Sequence, residues 1–463
     1  MSRRRGALLW LALFAVYAAT LGIDAGPAGD YGPGEAHVLL SVESVVSDGD
    51  VDLADEYRTQ AWRPFYDGTL RPAGRLTDGR RNEPHGVGVA LLAAPGYAVG
   101  GPRGAELTLA ALAALAFVLA IVLARRLVPE PWATVAPLVV ALSPPALASA
   151  TAISPEPAAA VLLAGACLLA LRARERPRLR TAALTGLLLA LLPWVSLKFV
   201  PAGLVVGAAT VAWLVRRGRG LAALVACEVA FTSVVTYITL NGTLFGGLTP
   251  FAADAAPVPP TGAGDAGDYL DRATRLAGLW FDRDVGLLRW APFLALAGVS
   301  AWLLWRSRRD RLAAAVPDQA DVEAAAGLLL AVLGAQAVVA ALLAPTLFGP
   351  WFPGRQFAAV LPLAGALAAW GLRHVPRLGA ALAALTLAGS VWLLAALRFG
   401  DAEWVTPSTP APWGPLERLL PDFGAMTAWS DAVSALALLA LAGLVAWEWL
   451  RSRRPPGEPA AAP

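Results

Sequence analysis

Glu35 and His37 end the segment Asp30-Tyr-Gly-Pro-Gly-Glu35-Ala-His37 and begin a helical pattern. From Val38 the apolar residues fall at Val38, Leu39, Val42, Val45 and Val46, the spacing of one helical face. The pattern predicts an amphipathic helix lying along a membrane surface. Its first turn would hold a carboxylate and an imidazole beside a lipid headgroup, with Asp30 close in sequence. Such a pair suits acid–base or phosphate chemistry on that headgroup. Each member also has a plainer reading: helix dipoles favour Glu35 in a first turn by roughly 0.3–1 kcal/mol, and His37 suits an interfacial surface.

Further candidates recur along the chain. Lys198, its only lysine, stands between two apolar runs. A charge at the bilayer centre costs at least about 2.5–3.5 kcal/mol, so Lys198 must reach water or a partner. Arg355, in the turn Pro353-Gly-Arg, follows the same logic. Glu156 opens an apolar run after Pro155, where a helix dipole would also favour it. His85 starts a Gly-rich stretch, Asp282-Arg283-Asp284 form a charge cluster expected to be solvated, and Glu228 sits inside an apolar run.

The elements that must position these residues are membrane helices. Hydrophobic residues make up 57% of 463, and apolar runs near the roughly 20 residues needed to cross a bilayer recur throughout. Spans are expected near 6–23, 104–124, 132–152, 157–171, 181–196, 199–215, 220–240, 286–305, 324–346, 356–372, 378–397 and 432–450, an all-α polytopic protein of about twelve transmembrane helices. With the N-terminus inside, the inner segments (Arg3 to Arg5, Arg125 and Arg126, Arg172 to Arg180, Arg216 to Arg219, Arg306 to Arg311, Arg373 and Arg377, Arg451 to Arg454) collect most of the 37 basic residues. The acidic excess falls in the long outer segments 24–103, 241–285 and 398–431. Residues 1–450 thus read as one transmembrane domain, and 451–463 as a cytoplasmic disordered tail. Both termini are expected in the cytoplasm of a multi-pass inner or plasma membrane protein whose site faces outward, because long ordered loops are usually functional.

Several classes are excluded. The net charge of +3 hides an inside–outside asymmetry that bears on orientation, and nucleic acid is not an expected partner. There is no G-x-x-x-x-G-K-[ST], H-E-x-x-H or C-x-x-C. Cys167 and Cys227 both lie within spans, so neither a disulfide framework nor a cysteine metal site is expected. The first span, after Arg3 to Arg5, reads as an uncleaved helix rather than a signal peptide. The Ala-, Leu- and Arg-rich composition suggests a GC-rich bacterial genome, in which the sequon Asn241-Gly-Thr carries little weight.

Six stretches then match a known family in order: Gly34-Glu-Ala-His-Val-Leu followed by Asp48-Gly-Asp-Val-Asp-Leu-Ala-Asp-Glu-Tyr57, His85-Gly-Val-Gly-Val-Ala-Leu-Leu-Ala-Ala-Pro95, Ser154-Pro-Glu156-Pro, Leu192-Pro-Trp-Val-Ser-Leu-Lys198-Phe, Trp280-Phe-Asp-Arg-Asp-Val-Gly-Leu-Leu288 and Pro353-Gly-Arg355-Gln-Phe. Together they resemble the integral-membrane GT-C glycosyltransferases, specifically bacterial relatives of the protein O-mannosyltransferases and aminoarabinose transferases. The resemblance implies transfer of a sugar from a polyprenyl-phosphate donor to a lipid, glycan or protein acceptor on the outer face of the membrane, commonly with inversion.

By the same resemblance Glu35 matches the key acidic residue of the first outer loop, and Lys198 and Arg355 match cations that would bind the donor phosphate. Glu156 matches an acidic residue seen at its position. Asp30, His37, His85 and Asp282 are further site candidates. No residue is assigned as a metal ligand, although His37 leaves room for a divalent cation. Family members often carry Asp-Glu where this chain has Gly34-Glu35, so two alternatives stay open: recruitment of Asp30, or a catalytically silent lipid-binding or assembly subunit of a cell-envelope pathway. A secondary transporter fits less well, because the ionisable groups cluster in large asymmetric loops instead of at the midplane.

Overall fold

The computed structural model describes residues 2–452 apart from 24, 26–28, 78, 256–260, 314–316, 348, 350, 401, 405–412, 415–418 and 425–426. The expected tail beyond 452 lies outside the described residues. The chain is almost wholly helical: α1 (Arg3–Ala18), α2 (Pro33–Ser47), α3 (Ala54–Thr59), α4 (Gly88–Ala124), α5 (Trp132–Ala141), α6 (Pro144–Thr151), α7 (Glu156–Glu175), α8 (Leu179–Ala190), α9 (Leu192–Val195), α10 (Val200–Arg216), α11 (Gly220–Phe245), α12 (Ala266–Asp271), α13 (Arg275–Phe281), α14 (Leu287–Trp290), α15 (Ala295–Ala313), α16 (Pro317–Val338), α17 (Leu361–His374), α18 (Pro376–Phe399) and α19 (Ala428–Ser452). One antiparallel pair, β1 (Leu76–Thr77) and β2 (Arg80–Arg81), stiffens the first long loop, with Leu76 opposite Arg81.

Every expected span falls on a helix. Among the described residues seven helical stretches are long and apolar enough to cross a membrane, or eight if the pair α5 and α6, bent by 65° across the break between Ala141 and Pro144, is one broken span. The other expected spans fall on shorter helices: the 16-residue α1, the runs Leu179–Val195 and Pro292–Arg306, and Ala428–Ala440 within α19. Ala-rich surfaces let these helices pack closely, with α17 deepest: Leu361 to Ala369 are all buried.

Two elements depart from the sequence pattern in ways that shape the site. α4 is two helices joined by a kink, with Gly100 and Gly101 outside helical geometry and Gly101 at φ +58°. Its arms touch through glycines: a Cβ on Gly104 would come within 1.9 Å of the Gly96 carbonyl oxygen. The first arm therefore belongs to the long loop, and only the second fills the expected 104–124 span.

The second departure is α2, which does not lie along a lipid surface. Ala36 and Val38 through Val42 are all buried, as is Ser44, so the helix is packed inside the protein. The reason is that its polar side is cheap to bury. Ser44 donates to the carbonyl of Asp50 or Asp52 or to Asp50 Oδ1, and Ser41 reaches the His37 carbonyl, so small hydroxyls are satisfied within the loop.

The three long loops contact one another and so share one face of the helical body. Gly74 pairs with Asp254, and the Arg75 amide donates to the Ala253 carbonyl, joining the first loop to the second. Arg283 donates to Asp422 at 2.8 Å, joining the second to the third.

Candidate active site

A cleft of about 640 Å³, its open mouth included, lies beneath these loops. Its walls come from the chain after α1, from α6 and the Ala152–Ser154 turn, and from Trp351, Phe352, Arg355 and Trp404. Glu35, Asp30 and Glu106 also face it.

Glu35 occupies the third position of α2, and its carboxylate is held at both oxygens. Oε2 accepts the Gly32 amide at 2.8 Å, closing the N-terminal cap of its own helix, and Oε1 accepts the Ile153 amide at 2.8 Å. The second bond ties the first loop to the turn that leads into α7. Burial pushes the Glu35 carboxyl above the usual carboxylate range, although the Gly32 amide and the Arg355 charge pull the other way. A carboxylate with a raised pKa is a better proton acceptor than an ordinary one.

Three residues beyond Ile153, Glu156 begins α7 almost fully buried, at 1% exposure. Its Oε1 accepts Lys198 Nζ at 2.5 Å and lies 3.5 Å from Arg355 Nε. Two cations thus share one carboxylate, leaving one positive charge in excess. Lys198 is delivered by a 3-10 turn, Leu197–Phe199, where Ser196 interrupts the α9–α10 run in extended geometry. Arg355 follows Gly354, whose φ of +87° and approach to Leu287 exclude a side chain: a Cβ there would sit 2.4 Å from Leu287 Cδ2. The Arg355 guanidinium lies over the Trp351 ring, 5.6 Å from its centroid.

Asp30 forms the opposite wall. It pairs with Arg103, which also donates to Glu106 at 2.8 Å, and Tyr31 packs under the same guanidinium. Asp30 lines the cleft, but its charge is already engaged. Gly34 is exposed with open space where a side chain would be, so no steric barrier accounts for the absence of an Asp before Glu35.

The two candidate histidines, His37 and His85, lie outside this cleft. His37 turns into the first loop, its Nδ1 2.9 Å from the Tyr57 hydroxyl and 3.4 Å from Glu83 Oε1, so it does not present an imidazole to a headgroup. Tyr57 donates to the same Glu83 oxygen at 2.5 Å. Burial alone would raise the Glu83 carboxyl, but the bonds from His37 and Tyr57 hold it below its usual range. His85 opens to a neighbouring cavity of about 580 Å³ that also touches Pro155, Ser196 and Leu197, flanking Glu156 and Lys198 from the other side. Burial lowers the His85 pKa despite nearby Glu83. The Gly-rich stretch after His85 has a packing reason: side chains on Gly86 or Gly88 would strike the Trp194 carbonyl oxygen at 2.4 and 2.6 Å, pushing the Lys198 turn away.

Asp282 is neither solvated nor in the cleft. It is 1% exposed, and its carboxylate accepts the amides of Asp284 (2.7 Å), Val285 (2.8 Å) and Phe423 (2.8 Å). Its structural part is to fold its own turn and dock residues 421–424 of the third loop. Burial raises its pKa against those three bonds.

No protein-family model matches the chain, and no curated protein does. Among solved structures the chain is similar to ArnT from Cupriavidus metallidurans in the apo state, an aminoarabinose transferase, with a TM-score of 0.53 and 16% identity over 90% of this chain and 68% of that one. The chain has a GT-C-like fold.

Within this GT-C-like frame the structure brings together Asp30, Glu35, Glu156, Lys198 and Arg355, sets His85 just behind the Glu156–Lys198 pair, and leaves His37 and Asp282 apart. Sequence reasoning missed Arg103 and Glu106, the partners that engage Asp30. The signal was available: a charged pair at the start of the 104–124 apolar run, directly after Gly100-Gly101-Pro102, marks a break where ionisable groups meet a cavity. Nothing in the sequence pointed to Trp351, Phe352 and Trp404, since apolar residues in membrane loops are common.

Proposed function

We propose that this chain is an integral-membrane glycosyltransferase that moves a sugar from a polyprenyl-phosphate donor to a lipid, glycan or protein acceptor on the outer face of a cell membrane. The observation that carries the reading is the shared cleft: a raised-pKa carboxylate, Glu35, on one side and Arg355, coupled through Glu156 to Lys198, on the other. Transfer needs both kinds of group. As the acceptor hydroxyl attacks the anomeric carbon, Glu35 takes its proton. The bond from that carbon to the phosphate oxygen breaks on the opposite face, and the lipid phosphate leaves toward Arg355 and Lys198 with inversion. Glu156 holds the two cations close together, against their mutual repulsion. The excess of arginine in the segments between the long loops supports a cleft that faces outward and termini that lie in the cytoplasm.

The test is transfer of label from radiolabelled polyprenyl-phosphate sugars by the purified protein. Arg355→Ala should weaken donor binding and slow transfer. Gly34 and the engaged Asp30 favour one competing reading, a silent lipid-binding subunit. That reading prevails if the wild type binds the lipid phosphate yet turns over none of the sugar donors.

A further inference from the structure

The first loop carries five carboxylates between Asp48 and Glu56, and they divide into two sets. Asp50 and Asp52 are used by the fold. Asp50 Oδ1 accepts Ser44 Oγ at 3.1 Å and the Asp52 amide at 3.0 Å, while Asp52 Oδ1 accepts the amides of Ala54 and Arg81. Asp48, Asp55 and Glu56 converge instead, each bringing one carboxylate oxygen to within 4.8 Å of the other two. Glu56 is only 3% exposed, and neither of its oxygens has a hydrogen-bond partner among the described residues. No ion pair reaches Asp48, Asp55 or Glu56 among those residues either. Three converging carboxylates, one of them buried without a partner, are unfavourable when all are ionised unless something positive joins them.

We propose that Asp48, Asp55 and Glu56 bind a hard divalent cation of the Ca²⁺ class. Calcium takes oxygen ligands at about 2.3–2.6 Å, so ligands on opposite sides of the ion are about 4.6–5.2 Å apart, and three oxygens within 4.8 Å of one another fit one coordination sphere. Asp48 is exposed and Asp55 half-buried, which gives the ion a path from water and room for water ligands. The place in the fold gives the ion its purpose. Asp48 caps the C-terminus of α2, the helix that begins with Glu35, and Asp55 and Glu56 form the first turn of α3, whose Tyr57 bonds Glu83 beside His37. A bound cation would fasten these helices together and hold the first loop in register.

Full-length protein in detergent, stripped with EDTA, should bind one Ca²⁺ per chain when titrated calorimetrically with CaCl₂ alone, and Ca²⁺ should raise its Tm. Asp48→Asn should weaken binding by about tenfold or more, because ligand charge sets affinity in such sites. Glu56→Gln should abolish it. If Glu56→Gln does not fold, the exposed Asp48→Asn carries the test alone. Absence of Ca²⁺ or Mg²⁺ binding at millimolar concentration would overturn the site, and so would unchanged binding in Asp48→Asn. Because the readout is ion binding, neither result bears on sugar transfer.

Discussion

Glu35→Gln is the most direct perturbation of the proposed base, and the structure makes it less conservative than its shape suggests. Both carboxylate oxygens accept a backbone amide at 2.8 Å, one from Gly32 and one from Ile153. A glutamine offers one acceptor oxygen, so its amide nitrogen must face one of those N–H groups. An unsatisfied buried group costs about 1–3 kcal/mol, partly offset because the variant no longer buries a charge. Loss of a general base is larger: a factor of about 10²–10⁴ in turnover, or about 2.7–5.5 kcal/mol of barrier. Transfer of labelled sugar should therefore fall at least about 100-fold while donor binding survives. The pH dependence separates the two effects. Wild-type transfer should rise with pH through a Glu35 pKa above 4.5, and the residual activity of the variant should lack that limb. Stability gives the matching sign. With the folded-state pKa raised, native Glu35 keeps its proton at pH values where the unfolded chain has lost it. Wild-type stability relative to Glu35→Gln should then decline as pH climbs from about 4.5 toward the raised value. A variant with full turnover, or one that keeps the same acid limb, would refute Glu35 as the base and direct attention to Asp30.

The other tests address the cations, the loops and the topology. Lys198→Ala should weaken binding of the lipid donor and slow transfer, with Lys198→Arg milder because charge is kept. It should also lower Tm, through a loss of stability toward or below the low end of the about 3–5 kcal/mol expected for breaking a buried pair, since Arg355 still lies 3.5 Å from Glu156 Oε1. In a double-mutant cycle, adding Glu156→Gln to Lys198→Ala should recover part of that loss, and strict additivity would show that the two side chains are not coupled. Asp282→Asn, which removes acceptor capacity from three amides, should destabilise the loops by about 1–3 kcal/mol and speed proteolysis near residue 423, while kcat of the folded fraction stays unchanged. A reporter fused after Gly267 should appear outside and one after Arg309 inside; finding both on one side would undo the orientation.

The sequence by itself determined the class of fold and the stretches that matter. Apolar runs of membrane length can only be helices, because lipid offers nothing to unpaired backbone groups, so every expected span fell on a helix. Lys198 announced itself as a lone charge between apolar runs, and the structure supplied its partner, Glu156, 42 positions away. The pairing was not legible beforehand, since periodicity describes one helix at a time and says nothing about which helices meet. The same limit explains α2: its spacing of apolar residues is equally good for a lipid surface and for a protein interior, and only the loop folded over it decided between them. Asp30, Glu35, His37, His85 and Asp282 looked alike as polar residues of long loops. Tertiary packing sorted them by giving Asp30 to Arg103, His37 to Tyr57 and Asp282 to three amides away from the cleft, while Glu35 was fixed in the cleft wall by amides from two separate segments. Backbone amides donate from any residue type, so that last arrangement leaves no mark in the sequence.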